Sequence, residues 1–274
     1  DVRVRSFDLF ATSTIEIYAG SSDFRIMGTL LSKTAYIAYI THTIYLQLGD
    51  EYMESVKGLE WDSGLRDPSG KRFAKPRHHG LTMVIDKGLG MTAFQDMLLT
   101  SGAYIDMIKL GFGTSILYPE DVLQHKIHLC REHGITIMPG GTFLEAAVFQ
   151  DRIEDFFSFV CQFGFDGIEV SDGTIRMDAK LREELIVRGK SCGLRVFTEY
   201  GEKVWGSRVE INDLLNTIHQ DLRHGSELIT IEGRESGKGV GIYDEHGNCN
   251  NDTLSEILRN LANPHVLLWE APLK

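Results

Sequence analysis

Short apolar runs return along residues 81–270 at a nearly regular interval, and that recurrence leaves very few folds open. They cover 81–86, 105–110, 135–139, 167–170, 194–199, 228–232 and 266–270, with starts 24, 30, 32, 27, 34 and 38 residues apart. Each interval is the length of one strand, one helix and their connections. Amphipathic stretches fill the gaps at 92–101, 119–133, 151–163, 178–192, 212–224 and 253–261. Pro119 at an entry and Gly134 at an exit show the boundary chemistry of helices. Runs that are apolar throughout belong to strands buried on both faces, which a parallel sheet covered by helices requires. Seven such units in tandem predict an α/β fold, a (β/α)8 TIM-type barrel rather than a doubly wound sheet.

Polarity is placed just as regularly. The runs end in Asp86-Lys87-Gly88, Lys109-Leu-Gly111-Phe-Gly113-Thr114-Ser115, Pro139-Gly140-Gly141-Thr142, Glu169-Val-Ser171-Asp172-Gly173, Glu199-Tyr-Gly-Glu202-Lys203, Glu232-Gly-Arg234 and Glu270-Ala-Pro272. In a barrel the C-terminal strand ends converge on one face, where the βα loops build the active site. Carboxylates and lysines are costly to bury unless paired or metal-bound. Their repetition there predicts one shared polar site.

Residues 1–79 break the period. They contain β-like runs at 14–18, 24–27 and 36–48, then a polar, turn-rich stretch from Asp62 to His79. The chain therefore divides into a β-rich N-terminal extension and linker, 1–79, and a barrel, 80–274. Cys130, Cys161 and Cys192, 31 residues apart, fall late in three helical stretches. As small hydrophobes they are expected to face the sheet. His78 and His79 are expected on a loop surface.

Composition narrows the partners. With 28 Lys+Arg against 39 Asp+Glu, the formal net charge is −11. Nucleic acid and anionic membranes are bound through basic patches, so neither is an expected partner. No stretch approaches the roughly 18 apolar residues of a membrane span. The sequence opens at Asp1 without a basic-then-apolar leader, and a cytoplasmic enzyme is expected, most simply a homo-oligomer.

Six segments carry a family likeness: GLTMVIDKGLG (80–90), YIDMIKLGFGTS (104–115), MPGGTFLE (138–145), GIEVSDGTI (167–175), IEGRESGKGVGIYD (231–244) and WEAP (269–272). In these the chain, over 80–274, closely resembles the phosphosulfolactate synthase family, magnesium-dependent barrel enzymes of coenzyme M biosynthesis. The resemblance implies addition of sulfite to the terminal carbon of phosphoenolpyruvate, giving 2-phospho-3-sulfolactate. That addition drives charge into the carboxylate, forming an aci-carboxylate that needs a divalent cation and nearby donors. A general acid must then protonate the adjacent carbon, a task for a lysine of lowered pKa. Lys203 matches the lysine proposed as that acid in the family. Lys109 and Glu199 are candidate catalytic groups beside it.

Glu169, Glu199 and Glu232 close three consecutive strands, a spacing that suits three oxygen ligands of one Mg2+. The same carboxylates could instead orient Lys203, Lys109 or Arg234 through ion pairs. Lys87 and Arg234 are candidates to hold phosphate and carboxylate, Arg234 through its planar fork. Gly111, Gly113, Thr114, Ser115, Gly140, Gly141, Thr142, Ser171 and Asp172 complete the candidate substrate-binding set, since glycine-rich loops let backbone N–H groups approach an anion. The expected substrate is a small, phosphorylated anion.

The family has two lysines at the fifth strand end, and Glu202 replaces the first. Proximity predicts that Glu202 raises the pKa of Lys203 and weakens attraction for anions. Family members also continue into an eighth strand, whereas this sequence stops at Lys274. Exposed sheet edges are avoided, so a strand from 1–48, a partner chain or a further segment is expected to close the barrel. Two alternatives stay open: another enolate-forming substrate in a specialised biosynthetic pathway, or a non-catalytic, stress-associated interaction protein.

Overall fold

The structure, a computed structural model, describes residues 73–234 and 237–270 in full and the backbone of 3–9 and 12–18. The chain forms two compact units, Asp1–Lys71 and Arg72–Lys274. In the first, β1 (Arg3–Leu9) and β2 (Thr12–Tyr18) pair antiparallel, with Arg3 opposite Tyr18 and Leu9 opposite Thr12. β2 covers the run expected at 14–18; the runs at 24–27 and 36–48 lie outside the described residues.

The second unit carries the periodic sequence. Its strands are β3 (Met83–Asp86), β4 (Met107–Leu110), β5 (Thr136–Pro139), β6 (Gly167–Val170), β7 (Arg195–Tyr200), β8 (Leu228–Ile231) and β9 (Leu267–Trp269). All pair in parallel, in the orders β3-β4-β5 and β6-β7-β8-β9. Asp166 joins the two groups: its N–H donates to Ile137 O at 3.1 Å, and its carboxylate accepts from the Ile137 N–H at 2.9 Å.

Helices α1 (Met91–Ser101), α2 (Glu120–Glu132), α3 (Gly141–Phe149), α4 (Ile153–Phe163), α5 (Ala179–Ser191), α6 (Ile211–His224) and α7 (Asn251–Asn260) connect the strands. Asp178 caps α5 by accepting from the Leu181 N–H, and Asn250 caps α7 through the Thr253 N–H, each satisfying an orphan donor. Gly164 and Gly225 close α4 and α6 in the left-handed region that glycine reaches without strain. Among the described residues no helix is long and apolar enough to cross a membrane.

Alternation along each strand separates an outer layer from an interior. Ile108, Ile137, Ile168, Val170 and Val196 point outward and pack under the helices with Phe94, Leu123, Phe157 and Ile186. Met107, Met138, Phe197 and Leu228 meet inside, with Met83 of β3 and Leu268 of β9 packed against them. Strands at opposite ends of the order thus reach one cluster, which requires the sheet to curl around a common interior, as in a (β/α) barrel. Seven strands line it among the described residues.

Two expectations need correction. The stretch 139–142, expected as a glycine-rich loop, opens a separate helix, α3, between β5 and α4. Cysteine burial also divides. Cys130 is buried, on the α2 stripe with Leu123 and Ile127, whereas Cys161 and Cys192 are exposed. Val160 takes the sheet-facing position beside Cys161, and Cys192 sits at the C-cap of α5, where the chain leaves the packed face.

Candidate active site

The inward face of the strands changes character over two residues. Met107 is followed inward by Lys109, Gly167 by Glu169, Phe197 by Glu199, Leu228 by Thr230 and Glu232, and Leu268 by Glu270. Because side chains alternate with period two, each pair places an apolar group in the barrel centre and a polar one above it, at the C-terminal mouth. Lys109, Glu169, Glu199 and Glu232 are all buried.

Lys109 is the hub. Its Nζ lies 2.9 Å from Glu169 Oε1, 3.0 Å from Glu199 Oε2 and 3.8 Å from Glu270 Oε1. Burial alone would pull its pKa down, but Glu169, Glu199 and Glu270 outweigh that and hold it above the usual lysine value. Lys203 approaches from the loop after β7, with Nζ 2.8 Å from Glu199 Oε1, 3.9 Å from Glu232 Oε2 and 3.4 Å from Thr142 Oγ1. Between the two lysines the Glu199 carboxyl, despite burial, is pushed down to about 2. Glu169 is pushed up by burial even though Lys109 opposes the shift, and its second oxygen accepts the Gly141 N–H at 2.8 Å.

Glu232 behaves in the opposite way to Glu199. Burial, then the charges of Glu199 and Glu270, raise it to about 8. One oxygen each from Glu199, Glu232 and Glu270 falls within a set no more than 4.8 Å apart. Four glutamates face two lysines at this mouth, and the surplus negative charge fits a divalent cation: three oxygen donors are hard ligands, and one of them is raised in pKa by burial and by its anionic neighbours. This carboxylate cluster contains Glu270 beside Glu199 and Glu232, while the two oxygens of Glu169 accept from Lys109 and from the Gly141 N–H.

The loop after β8 shapes the acidic side. Arg234 has φ +56°, a left-handed backbone that non-glycine residues adopt only when held there. Its N–H donates to Glu232 Oε1 at 2.7 Å and to Glu270 Oε2 at 3.1 Å, joined by the Gly233 N–H at 3.1 Å from the same Glu270 oxygen. The Arg234 side chain is exposed at the rim.

The remaining candidates are spread around this centre. Lys87 stands on the exposed loop after β3, its Nζ 5.8 Å from the Phe112 ring centroid. Gly111–Leu117 forms a tight turn with Phe112 and Gly113 left-handed, Thr114 Oγ1 donating to Gly111 O at 2.8 Å, and the buried Ser115 Oγ without a partner among the described residues. Gly140 precedes α3, and its neighbour Gly141 offers its N–H to Glu169. A Cβ on Gly141 would collide with Ser171. Ser171 donates to Glu145, and Asp172 turns to Arg182 at 3.2 Å rather than to the lysines.

The pKa expectations for Lys203 are also revised. Burial lowers it, but Glu199, Glu169 and Glu232 raise it further, so Lys203 lies above the ordinary lysine value rather than below. Glu202 is not among the groups responsible; its side chain is exposed.

Sequence reasoning assigns no role to four contributors, of which it marks only Glu270, as a strand ending. Glu270 repeats the pattern of an apolar residue followed two positions later by a carboxylate. Glu145 is a lone carboxylate in the apolar stretch Thr-Phe-Leu-Glu-Ala-Ala-Val-Phe, and such a residue must find donors inside. Lys126 stands on the buried stripe of α2 and bonds Asp86 Oδ2 at 2.6 Å, fixing the loop that carries Lys87. Arg182, on the buried face of α5, pairs with Asp221 and donates to the Glu199 backbone oxygen at 3.1 Å. The first two were visible as charges out of phase with their surroundings; the partners of the others lie in distant sequence.

Parallel strands, outer helices and ionisable groups gathered at the strand C-termini define an enzyme of the TIM-barrel class. Residues 70–274 match the family described as (2R)-phospho-3-sulfolactate synthase (ComA). The phosphosulfolactate synthase of Methanocaldococcus jannaschii is 36% identical over 197 residues, 71% of this chain and 78% of that protein. That of Methanothermobacter thermautotrophicus is 35% identical over 205 residues, 74% and 79% of the two chains. That of Bacillus subtilis is 34% identical over 205 residues, 74% and 80%. The chain belongs to the phosphosulfolactate synthase family.

Proposed function

We propose that this chain joins sulfite to phosphoenolpyruvate, with Mg2+ held by Glu199, Glu232 and Glu270, and that Lys203 delivers the proton that completes the reaction. The sulfite sulfur uses its lone pair to form a bond to C3. The C2–C3 π electrons move into the carboxylate, giving an aci-carboxylate, and C2 then takes a proton, yielding 2-phospho-3-sulfolactate. When bound, the cation supplies positive charge for the developing dianion. Lys109, kept charged by three glutamates, adds fixed positive potential in a site screened from water.

Lys203 is suited to give the proton. The glutamates around it keep it protonated at neutral pH, and C2 of an aci-carboxylate is basic enough to take that proton. Glu199 lies between both lysines and sets their separation. Arg234 and Lys87 at the rim, with the Ser115 hydroxyl, suit the phosphate and carboxylate of a small dianion. One observation carries the reading: four glutamates and two lysines from five strand ends converge on one mouth.

The test is phosphoenolpyruvate consumption by purified protein. It is expected only with sulfite and Mg2+ together, and Lys203→Ala should lower the rate ~10²–10⁴-fold with the fold intact by circular dichroism. Consumption without sulfite, or an undiminished Lys203→Ala, would refute the assignment.

A further inference from the structure

Glu145 has no place in the chemistry above, yet it is among the most completely buried ionisable groups of the protein, at 0% exposure. It sits on the face of α3 that also carries Gly141 and Thr142, one turn earlier. No lysine or arginine bonds to it in the described structure. Instead its carboxylate accepts three hydrogen bonds from the loop after β6: the Ser171 hydroxyl, the Thr174 hydroxyl, and the Thr174 N–H at 2.7 Å. A carboxylate kept from water without a cation is expensive, and only a full set of donors compensates for it. The same donors fix residues 171–174 to α3.

Gly173 lies between the two residues that Glu145 grips. Its carbonyl oxygen accepts the Lys203 N–H at 3.1 Å. Its bare Cα also borders the lysine stem: a Cβ added to Gly173 would stand 3.0 Å from Lys203 Cε and Cγ and 3.1 Å from Cδ. Such contacts are tighter than ordinary van der Waals packing, so the stem runs in a trough that only glycine leaves open. Thr142, from the first turn of α3, meets the far end of the same side chain at Nζ.

We propose that Glu145 is a positioning residue for Lys203. It clamps the loop after β6 so that Gly173 holds the backbone and stem of the lysine while Thr142 and Glu199 hold its ammonium. Glu145 touches neither substrate nor reacting atoms. It acts by removing the freedom of a long side chain whose proton must reach one carbon. The inference rests on the reading of Lys203 as proton donor.

The experiment compares the full chain with Glu145→Ala, and with Thr174→Val, which keeps the carboxylate but removes one hydroxyl donor should Glu145→Ala fail to fold. Two readouts are taken. Steady-state kinetics with sulfite, phosphoenolpyruvate and Mg2+ should show kcat reduced by ~10–10²-fold, as misplacement of a reacting group by about 1 Å produces, while KM for phosphoenolpyruvate changes less than about threefold. Acetic anhydride labelling read by peptide mass spectrometry should show Lys203 reacting several-fold faster in the variants, with Lys109 unchanged. The labelling needs no activity. If wild type proves inactive on these substrates, the proposed function fails while the labelling still decides the positioning role. Folded variants with wild-type Lys203 labelling, or with kcat unchanged, would overturn the proposal.

Discussion

The two ends of the barrel handle charge in opposite ways. At the N-terminal end each acid has its own donors. Asp106 binds Arg77 Nε at 2.7 Å through one oxygen and the Thr82 N–H at 2.8 Å through the other. Glu227 takes Arg195 at 2.7 Å, and Arg195 also reaches Thr136 Oγ1 at 2.7 Å. A cavity of about 280 Å3 lies there, lined by these same matched groups and by Lys75 and His78. At the C-terminal end four glutamates share two lysines, and one glutamate is forced up to about 8. Charge matched locally fastens strands together. Charge left unbalanced in a buried mouth marks a candidate binding site.

That contrast can be broken most severely at Lys109. Lys109→Met would leave Glu169 and Glu199 buried without their shared cation, and breaking a buried ion pair from one side costs about 3–5 kcal/mol. Urea unfolding should show that loss together with loss of activity. A variant of wild-type stability would mean the mouth is more open to water than its geometry implies.

Next in size is the response to pH. The folded-state pKa of Glu232, about 8, lies above its unfolded value, so the folded protein binds the proton more tightly. Stability from this group is fully present below pH ~4.5 and is lost as pH rises through about 8, a change of the order of a few kcal/mol. Thermal melts without divalent cation should fall between about pH 5 and pH 8. Added Mg2+ should flatten that decline, and Glu232→Gln should abolish it. An unchanged slope in Glu232→Gln would assign the effect elsewhere.

The smallest effect is expected at the other end. Asp106→Asn removes the matched partner of Arg77 and should destabilise by roughly 1–3 kcal/mol, with kcat and KM unaltered within about twofold. The opposite sign is expected for Glu232→Gln above pH 8, which should stabilise the metal-free protein. Two acid-to-amide changes with opposite effects would establish the contrast between the ends, and effects of the same sign would dissolve it.

Much of this organisation was legible along the chain because it is local. A strand buried on both faces must be apolar throughout, and a helix must start and stop with particular residues, so the seven strands appear where the sequence placed them. The polar endings of those strands likewise marked Lys109, Glu169, Glu199, Lys203 and Glu232. Helix α3 was hidden because its first turn, Gly141-Thr142, imitates a loop, and glycine is needed there only because Ser171 approaches so closely.

The sequence by itself determined the repeating unit, the face on which charge collects and the residue types available for chemistry, since period and polarity are written residue by residue. Which charge meets which was decided only by the curled sheet. Lys109 and Glu199 are 90 residues apart in the chain, and they form an ion pair at 3.0 Å because β4 and β7 turn their inner faces to one axis. The opposite fates of Glu199 and Glu232, both buried, depend on which charges the fold sets beside them, two lysines for the first and two further glutamates for the second, a property of three-dimensional neighbourhood rather than of any local sequence.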